Sequence, residues 1–569
     1  MNKTNTTFNF RYVLLLTIIG LSLASLMYRV FDLQVVQKSF LEVQGNNRSM
    51  RTLEVPAYRG MITDRNNEPL AISTPVASIW INPKKFDIKN ENIQKLLEEL
   101  EISEDYINNK LAKYEGKEFL YLKRHIPPSV GRNIINLEIP GVYAKDEYRR
   151  YYPYGEVTAH ILGFTDIDDA GIAGIESVYN EWLQGTSGQR TVLKDRLGRH
   201  VDIIENDNTA SPGKSITLSI DQRLQYLAYQ ELKKAVEKHN AKSGSVVVLD
   251  VKTGEVLAMA NQPSFNPNVR NRDYSPEVLR NRAVVDYYEP GSTMKSFSMA
   301  SILENQPELT PASYVNTSPG YLKLAGGVVR DIQNNGKLDL EGILRKSSNI
   351  GISRLVLDMP VDYLWETYYK LGFGYRSGLN FPGESPGVLL MPQEGQEFVA
   401  ATMAFGYRMA ATTLQLARAY AILGGDGIRK PVSLTKQFDP VRGVRVLSSR
   451  VSRQVIDMLA SVVAQPLSRA KVPGYHAAGK TGTVRKLGKD GYEQGRHRSV
   501  MAGVAPAIEP KFAIVVTIDE PRNGQYYANQ VSSPVFSKIA SGALRLFNIQ
   551  PDILDTQGVH VAQNEIGRT

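Results

Sequence analysis

Glu289-Pro290-Gly291-Ser292-Thr293-Met294-Lys295-Ser296-Phe297 is the stretch on which the fold and chemistry of this 569-residue chain turn. Pro290 and Gly291 interrupt whatever precedes them, and the residues as far as Leu303 are mostly helix-compatible, so the pattern predicts Ser292 in the first turn of a helix. Lys295 then lies one turn further on, over the same face. A serine hydroxyl is a weak nucleophile at neutral pH. A lysine within hydrogen-bond reach can take its proton when a partly buried, cationic setting lowers the amine pKa. The helix N-terminus adds backbone N–H groups for a developing oxyanion. Spacing alone does not single out this pair, because Ser211/Lys214, Ser433/Lys436 and Ser468/Lys471 repeat it.

Two further elements distinguish Ser292. Ser347-Ser348-Asn349 and then Lys480-Thr481-Gly482-Thr483 follow it, in the order Ser-x-x-Lys, Ser-x-Asn, Lys-Thr-Gly of serine acyl-transfer enzymes. Each has a decoy. Ser264-Phe265-Asn266 sits among prolines, and Lys252-Thr253-Gly254 sits between two apolar runs as a hairpin turn, followed by Glu255, which would repel a carboxylate. In the ordered set Ser292 is the nucleophile and Lys295 its base, acting alone or through Ser347. Ser347 is placed to relay a proton to a leaving amine, and Asn349 to offer its amide to substrate and to Lys295. Lys480 supplies positive charge at the mouth, Thr481 and Thr483 offer hydroxyls to a donor carboxylate, and Gly482 lets the strand backbone approach the ligand.

These three motifs resemble those of penicillin-binding proteins and serine β-lactamases. Asn281-Arg282-Ala283, Lys346-Ser347-Ser348-Asn349-Ile350-Gly351, and Phe405-Gly406-Tyr407 ahead of Leu414-Gln415-Leu416-Ala417 narrow the resemblance to the class B, cell-division (FtsI-type) members. So do Arg59 to Arg65, Arg150-Tyr151-Tyr152-Pro153, His160-Ile161-Leu162-Gly163 and Gly171 to Glu176, which are similar to the N-terminal pedestal (dimerisation) module of that class. The resemblance implies a D,D-transpeptidase that joins peptidoglycan peptide stems, a D-Ala-D-Ala donor to an amine acceptor, through a serine acyl-enzyme that β-lactams trap. It also implies an oxyanion hole from the N–H groups of Ser292 and Thr483, and an aromatic wall from Tyr526 and Tyr527. A D,D-carboxypeptidase, or a β-lactam-hydrolysing or sensing protein, would share all three motifs. Arg408 and Thr413 depart from the family pattern, standing where a small residue and a proline are expected.

Composition narrows the class further. There are no cysteines and seven histidines with no His-Glu-x-x-His pair, so no cofactor and no metal is expected. The net charge of +9 suits a membrane surface or an anionic cell-wall polymer, and no aromatic and basic array argues for nucleic acid. One rival motif overlaps the third site: Gly474 to Thr481 satisfies the Gly-x-x-x-x-Gly-Lys-Thr phosphate-loop pattern, but its flanks suit neither the strand before nor the helix after.

Taken in order, residues 1–11 form a basic cytoplasmic tail carrying Lys3 and Arg11, and residues 12–36 a retained transmembrane anchor with the N-terminus inside. Residues 40–205 form the pedestal, in which charge-dense Arg59 to Arg65 is expected to make salt bridges and His160 to be a packed structural residue. Ser211-Pro212-Gly213 is the hinge. Residues 215–550 form an α+β transpeptidase domain, an antiparallel sheet flanked by helices, with a strand at Ile216 to Ile220 and helices at 222–239, 292–304, 341–357 and 411–423. Residues 551–569 are a polar, mobile tail. The short gap between anchor and pedestal leaves no room there for a glycosyltransferase domain. An FtsW-type glycan polymerase and other division proteins are therefore the partners the resemblance implies, at the septal inner membrane with the catalytic domain periplasmic.

Overall fold

The computed structural model describes residues 5–114, 116–194, 200–269, 274–488 and 491–553. It forms two compact units, Met1–Tyr58 with Gly185–Gly213 and Arg59–Gln184 with Lys214–Thr569.

In the first unit the apolar helix Asn5–Phe31 runs through a π turn, Asp32–Val36, into the helix Lys38–Ser49. Phe10–Val36 has a mean hydropathy of 2.0 and buries none of its length in the protein. At about 1.5 Å per residue it is long enough to cross the ~30 Å of a bilayer core. The expected tail is therefore helical from Asn5 onward, and Lys3 lies outside the described residues. Arg29 and Asp32 pair at 2.7 Å, which moderates the cost of two charges beside an apolar helix. Met50–Val55, Gly188–Lys194 and His200–Asn208 make a three-stranded antiparallel sheet with Gly188–Lys194 in the centre.

In the second unit the long strand Pro69–Ile81 pairs with Ile62–Thr63, Leu120–Ile126 and Val142–Tyr151. Ile79 and Ile81 bury in one apolar cluster with the helix Ile93–Leu100, whose Ile93, Leu96, Leu97 and Leu100 recur at helical spacing. The glycine- and arginine-containing pedestal motifs meet at one buried carboxylate. Glu176 takes Arg59 Nε on one oxygen and Arg150 Nε on the other, each at 2.6 Å, with all three side chains essentially unexposed. Arg59 Nη1 also donates to Asn180 Oδ1 (2.9 Å). Asp169 lies against the same two arginines, so buried cations here face carboxylates at close range, the condition under which such burial is tolerated.

The catalytic region is built on a five-stranded antiparallel sheet in the order β2-β1-β5-β4-β3: β1 Ser243–Asp250, β2 Val256–Gln262, β3 Ala478–Gly488, β4 Gly491–Ala505 and β5 Phe512–Asp519. Both faces are covered, and the strands alternate accordingly. Val246, Val248, Ile514 and Val516 face one layer, of helices α1 (Gln222–Lys238) and α7 (Ser533–Leu546). Val247, Leu249, Ala513 and Val515 face the other. That second layer holds α2 (Lys295–Asn305), α3 (Leu340–Lys346), α4 (Asn349–Leu357), α5 (Thr413–Gly424) and α6 (Ser449–Ala464).

Four expectations change. The helix expected at 341–357 is two, because Ser347 adopts φ +55° between α3 and α4. Met409–Thr412 is a strand, and Thr412 closes a capping box with Gln415 that starts α5 only at Thr413. The strand expected at Ile216 to Ile220 covers Ile216–Thr217 alone, because Asp221 takes the N-cap of α1. The tail is tied down at its start: Ile553 N donates to Gly474 O (3.1 Å) and His476 N to Asp552 Oδ1 (2.7 Å), while 554–569 lie outside the described residues.

Candidate active site

Ser292 lies in a 3-10 turn, Gly291–Met294, that runs directly into α2. The turn is locked from behind, where the Tyr420 hydroxyl donates to Thr293 O (3.0 Å) and meets Ser296 Oγ (2.9 Å). Gly291, at φ +59°, donates its N–H to Gly406 O (3.1 Å). Ser292 itself stays partly exposed, whereas Lys295 is fully buried.

The Lys295 ammonium nitrogen has four oxygen neighbours: Ser347 O at 2.6 Å, Asn349 Oδ1 at 2.7 Å, Ser347 Oγ at 3.1 Å and Ser292 Oγ at 3.2 Å. The two nearest are carbonyl oxygens that can only accept, so they claim two N–H bonds. What remains is a lone pair in the neutral amine or a third N–H in the ammonium, and in either state it faces the two hydroxyls. Burial first, and the charge of Lys480 second, push the Lys295 pKa well below the ordinary lysine range, against an opposing pull from Asp331. The site thus favours the neutral form needed to take a proton from Ser292.

Ser347 owes its place to the break between α3 and α4. Its N–H and that of Ser348 return to Leu344 O and Ile343 O, closing α3, and the left-handed backbone turns its hydroxyl into the site. Ser347 Oγ donates to Ser292 Oγ (3.1 Å) and accepts from Lys480 Nζ (3.1 Å), so it bridges nucleophile and third motif. Asn349 Nδ2 is held by Arg330 O (2.9 Å), which keeps one amide hydrogen for a ligand.

A residue without any sequence motif fixes this corner. Asp331 accepts from Ser348 Oγ (2.5 Å), Asn349 N (2.6 Å) and Ile350 N (3.1 Å), placing a carboxylate on the N-terminus of α4. Asp331 directly follows the strand Gly327–Arg330, 17 residues before Ser348, and tertiary folding rather than any local motif brings the two together.

Lys480, Thr481, Gly482 and Thr483 lie on β3, the edge strand. Lys480 is not at the mouth as expected but inside, 3% exposed, and burial lowers its pKa to about 8. Gly482 serves a closer neighbour than a ligand: a Cβ there would lie 2.8 Å from Pro290 O, so β3 can pack against the nucleophile turn only without a side chain. Thr481 and Thr483 are half-buried, and Thr483 Oγ1 accepts from Ala528 N (3.0 Å) while its own O–H stays free to donate. That bond sets the preceding tyrosines beside the motif. Tyr526 stacks on His497 with centroids 4.1 Å apart and packs on Tyr527 at 4.5 Å, and Tyr527 is exposed.

The structure accounts for one of the two departures, Thr413; Arg408 is held by its backbone, and nothing there explains the arginine side chain. Arg408, at φ +62°, gives its backbone N–H to Glu289 Oε1 (3.0 Å), which Tyr492 also grips. Thr413 occupies the first position of α5, which would suit proline, and uses its hydroxyl in a buried network with Ser245 (2.8 Å), Tyr288 (3.3 Å) and Thr517 (3.4 Å). His160 is packed as expected: its Nε2 meets Val278 O at 2.8 Å, and burial lowers its pKa to about 4. The phosphate-loop reading fails, because Gly479-Lys480-Thr481 continues along β3 and no helix follows.

Residues 244–541 match the penicillin binding protein transpeptidase domain, and residues 54–218 the penicillin-binding protein dimerisation domain. The peptidoglycan D,D-transpeptidase FtsI of Escherichia coli strain K12 is 42% identical over 557 residues, 96% of this chain and 94% of its own. The transpeptidase domain of Burkholderia pseudomallei penicillin-binding protein 3 is 38% identical, with a TM-score of 0.54 over 59% of this chain and 98% of that domain. Penicillin-binding protein 3 of Mycobacterium tuberculosis, complexed with aztreonam, is 26% identical, with a TM-score of 0.67 over 88% of this chain and 98% of its own. Because the likeness runs through the N-terminal module as well as through the three motifs gathered around Ser292, the chain belongs to the class B penicillin-binding proteins of the FtsI type.

Proposed function

We propose that this protein is a peptidoglycan D,D-transpeptidase, the target of β-lactams, and that Ser292 is its nucleophile. The observation that carries the reading is the buried Lys295 amine, whose two nearest acceptors leave its third position facing Ser292 Oγ. Lys295 removes the Ser292 proton as the hydroxyl attacks the penultimate carbonyl of a D-Ala-D-Ala stem. Backbone N–H groups of Ser292 and Thr483 stabilise the oxyanion. Ser347 passes a proton to the departing amine, Asn349 and the edge strand β3 align the peptide backbone, and Lys480 with Thr481 and Thr483 holds the terminal carboxylate. Tyr526 and Tyr527 wall the acyl side, and an amine acceptor resolves the ester into a cross-link.

The apolar helix Phe10–Val36 anchors the protein in the inner membrane, with the basic N-terminus cytoplasmic and the catalytic domain periplasmic. The proposed domains are the pedestal, 40–205, and the transpeptidase, 215–550. The FtsI relationship supports work at the division septum beside an FtsW-type glycan polymerase. Mass spectrometry after exposure to a labelled penicillin tests the reading: the adduct is expected on Ser292, and a protein that stays unmodified contradicts it. A cross-linked dimer from donor and acceptor peptides separates a transpeptidase from a carboxypeptidase or a β-lactamase, which release only hydrolysed product.

A further inference from the structure

Three positions along the chain take Ser292 to Lys295, and whether that spacing brings a hydroxyl to an amine depends on the kind of helix that carries it. Over three residues an α-helix turns through about 300°, which leaves the two side chains roughly 60° apart around the axis, whereas a 3-10 helix turns through about 360° and eclipses them. Ser292 lies in the 3-10 turn Gly291–Met294, closed by Lys295 N–H on Ser292 O, and the eclipsed pair meets at 3.2 Å. Eclipsed side chains and poorer hydrogen-bond geometry make 3-10 helix unfavourable beyond a short run, and this turn leads straight into α2. Some contact must therefore keep the α form from spreading back over Ser292.

The Thr293 carbonyl is where it would spread. Met294 is the N-cap of α2, the first residue whose carbonyl accepts an intrahelical bond, and one more bond of the α type would run from Phe297 N–H to Thr293 O. That oxygen instead accepts the hydroxyl of Tyr420, on α5 (3.0 Å). A phenol has one proton to give, so in the 2.9 Å contact between Ser296 Oγ and the Tyr420 oxygen the serine is the donor, which aims the phenol proton at Thr293. All three residues are fully buried, so water does not compete for the carbonyl. Tyr368 offers the comparison. It is equally buried, but its hydroxyl meets Ser298 Oγ (2.7 Å), in the body of α2, and Met403 O (3.2 Å).

We propose that Tyr420 is a positioning residue for acylation: by taking the Thr293 carbonyl it stops α2 at Lys295 and keeps Ser292 and Lys295 eclipsed. It acts through the turn and touches none of the reacting atoms. The proposal rests on the transpeptidase reading above, through the serine acyl-enzyme which that reading requires.

The test is stopped-flow acylation of the full-length protein in detergent by a chromogenic cephalosporin over a range of concentrations, which separates the limiting acylation rate from the dissociation constant of the preceding complex. Labelled penicillin counts the competent fraction, so that misfolded molecules do not enter the rate. Tyr420→Phe removes one hydroxyl and frees Thr293 O for the α-type bond; the limiting rate is expected to fall at least tenfold, with the dissociation constant within twofold of wild type. Ser296→Ala leaves the phenol unaimed and is expected to slow the same step about threefold, and the double variant no further than Tyr420→Phe, because the serine acts through the phenol. Tyr368→Phe is expected to lower the melting temperature while the limiting rate stays at the wild-type value. A wild-type limiting rate in Tyr420→Phe, or equal slowing in Tyr368→Phe, overturns the proposal. If Tyr420→Phe does not fold, Ser296→Ala set against Tyr368→Phe decides in the same way. A wild-type protein that penicillin does not acylate overturns the transpeptidase reading instead.

Discussion

Replacing Asp331 by Asn isolates what one carboxylate contributes to a site it never enters. Its Oδ1 accepts the N–H groups of Asn349 and Ile350, and its Oδ2 accepts the Ser348 hydroxyl and, at a longer 3.3 Å, Asn335 Nδ2. An amide can keep the first two bonds through its carbonyl oxygen. Its NH₂ group, however, faces a hydroxyl that needs an acceptor, and Ser348 Oγ already accepts Gly351 N. The variant therefore loses about one charge-assisted hydrogen bond, roughly 1.5–3 kcal/mol, and a further ~0.3–1 kcal/mol of charge at a helix N-terminus. If that loss falls on the alignment of Ser347 and Asn349 in the transition state, acylation slows by about twentyfold to just under a thousandfold, at 1.36 kcal/mol per decade. A second signature separates electrostatics from loosened geometry. The negative charge of Asp331 holds the Lys295 pKa up against burial and Lys480, so its removal lowers that pKa further. The acid limb of the acylation rate should move to lower pH while the plateau falls. Stopped-flow acylation by a chromogenic cephalosporin across pH measures both. A variant with the wild-type plateau, or an acid limb displaced to higher pH, refutes the role given to Asp331.

Three other outcomes follow from the same geometry. Gly482→Ala places a methyl group 2.8 Å from Pro290 O, so β3 must draw back from the nucleophile turn at a cost of about 1–3 kcal/mol; labelled-penicillin acylation should drop about tenfold or more while the far-ultraviolet spectrum holds. Lys480 is useful when charged and loses its proton near pH 8, whereas Lys295 is useful when neutral, so acylation should rise on the acid side and decline above about pH 8. Lys480→Arg keeps the charge and should abolish that alkaline decline, which pH–rate profiles of the two proteins will show. Glu176→Gln leaves Arg59 and Arg150 buried without their anion, and thermal melts should reveal a destabilisation of about 3–5 kcal/mol.

What could be read in advance was whatever depends on local periodicity. The hairpin around Lys252-Thr253-Gly254 and the helix that begins at Gln222 announce themselves by their apolar runs and helical spacing. The break at Ser347 does not. Leu340 to Leu357 keeps a helical pattern throughout, and a serine at positive φ has no propensity signal to mark it. Tertiary bonds make that conformation worthwhile: the Asp331 carboxylate gathers the first N–H groups of α4, and Lys295 takes the carbonyl of Ser347 itself.

The same distinction explains which site residues were legible. Ser292 and Lys295 are three apart on one turn, so spacing alone makes them neighbours. Ser347, Asn349 and Lys480 could be identified only as motifs, since no short-range rule brings residues 52 to 185 positions beyond Lys295 into its neighbourhood. Lys480 illustrates the limit: its type and motif were evident, its burial was not, and burial changes its chemistry from a fixed charge at a mouth to an ammonium that titrates near pH 8 beside Ser347. Asp331 lay beyond reach altogether, because a carboxylate that binds backbone N–H groups needs no partner side chain of defined type. The site is therefore specified at two levels. Side-chain identity provides the groups that react, and an unmarked carboxylate clamping the first residues of α4, next to one serine at positive φ, sets where they point.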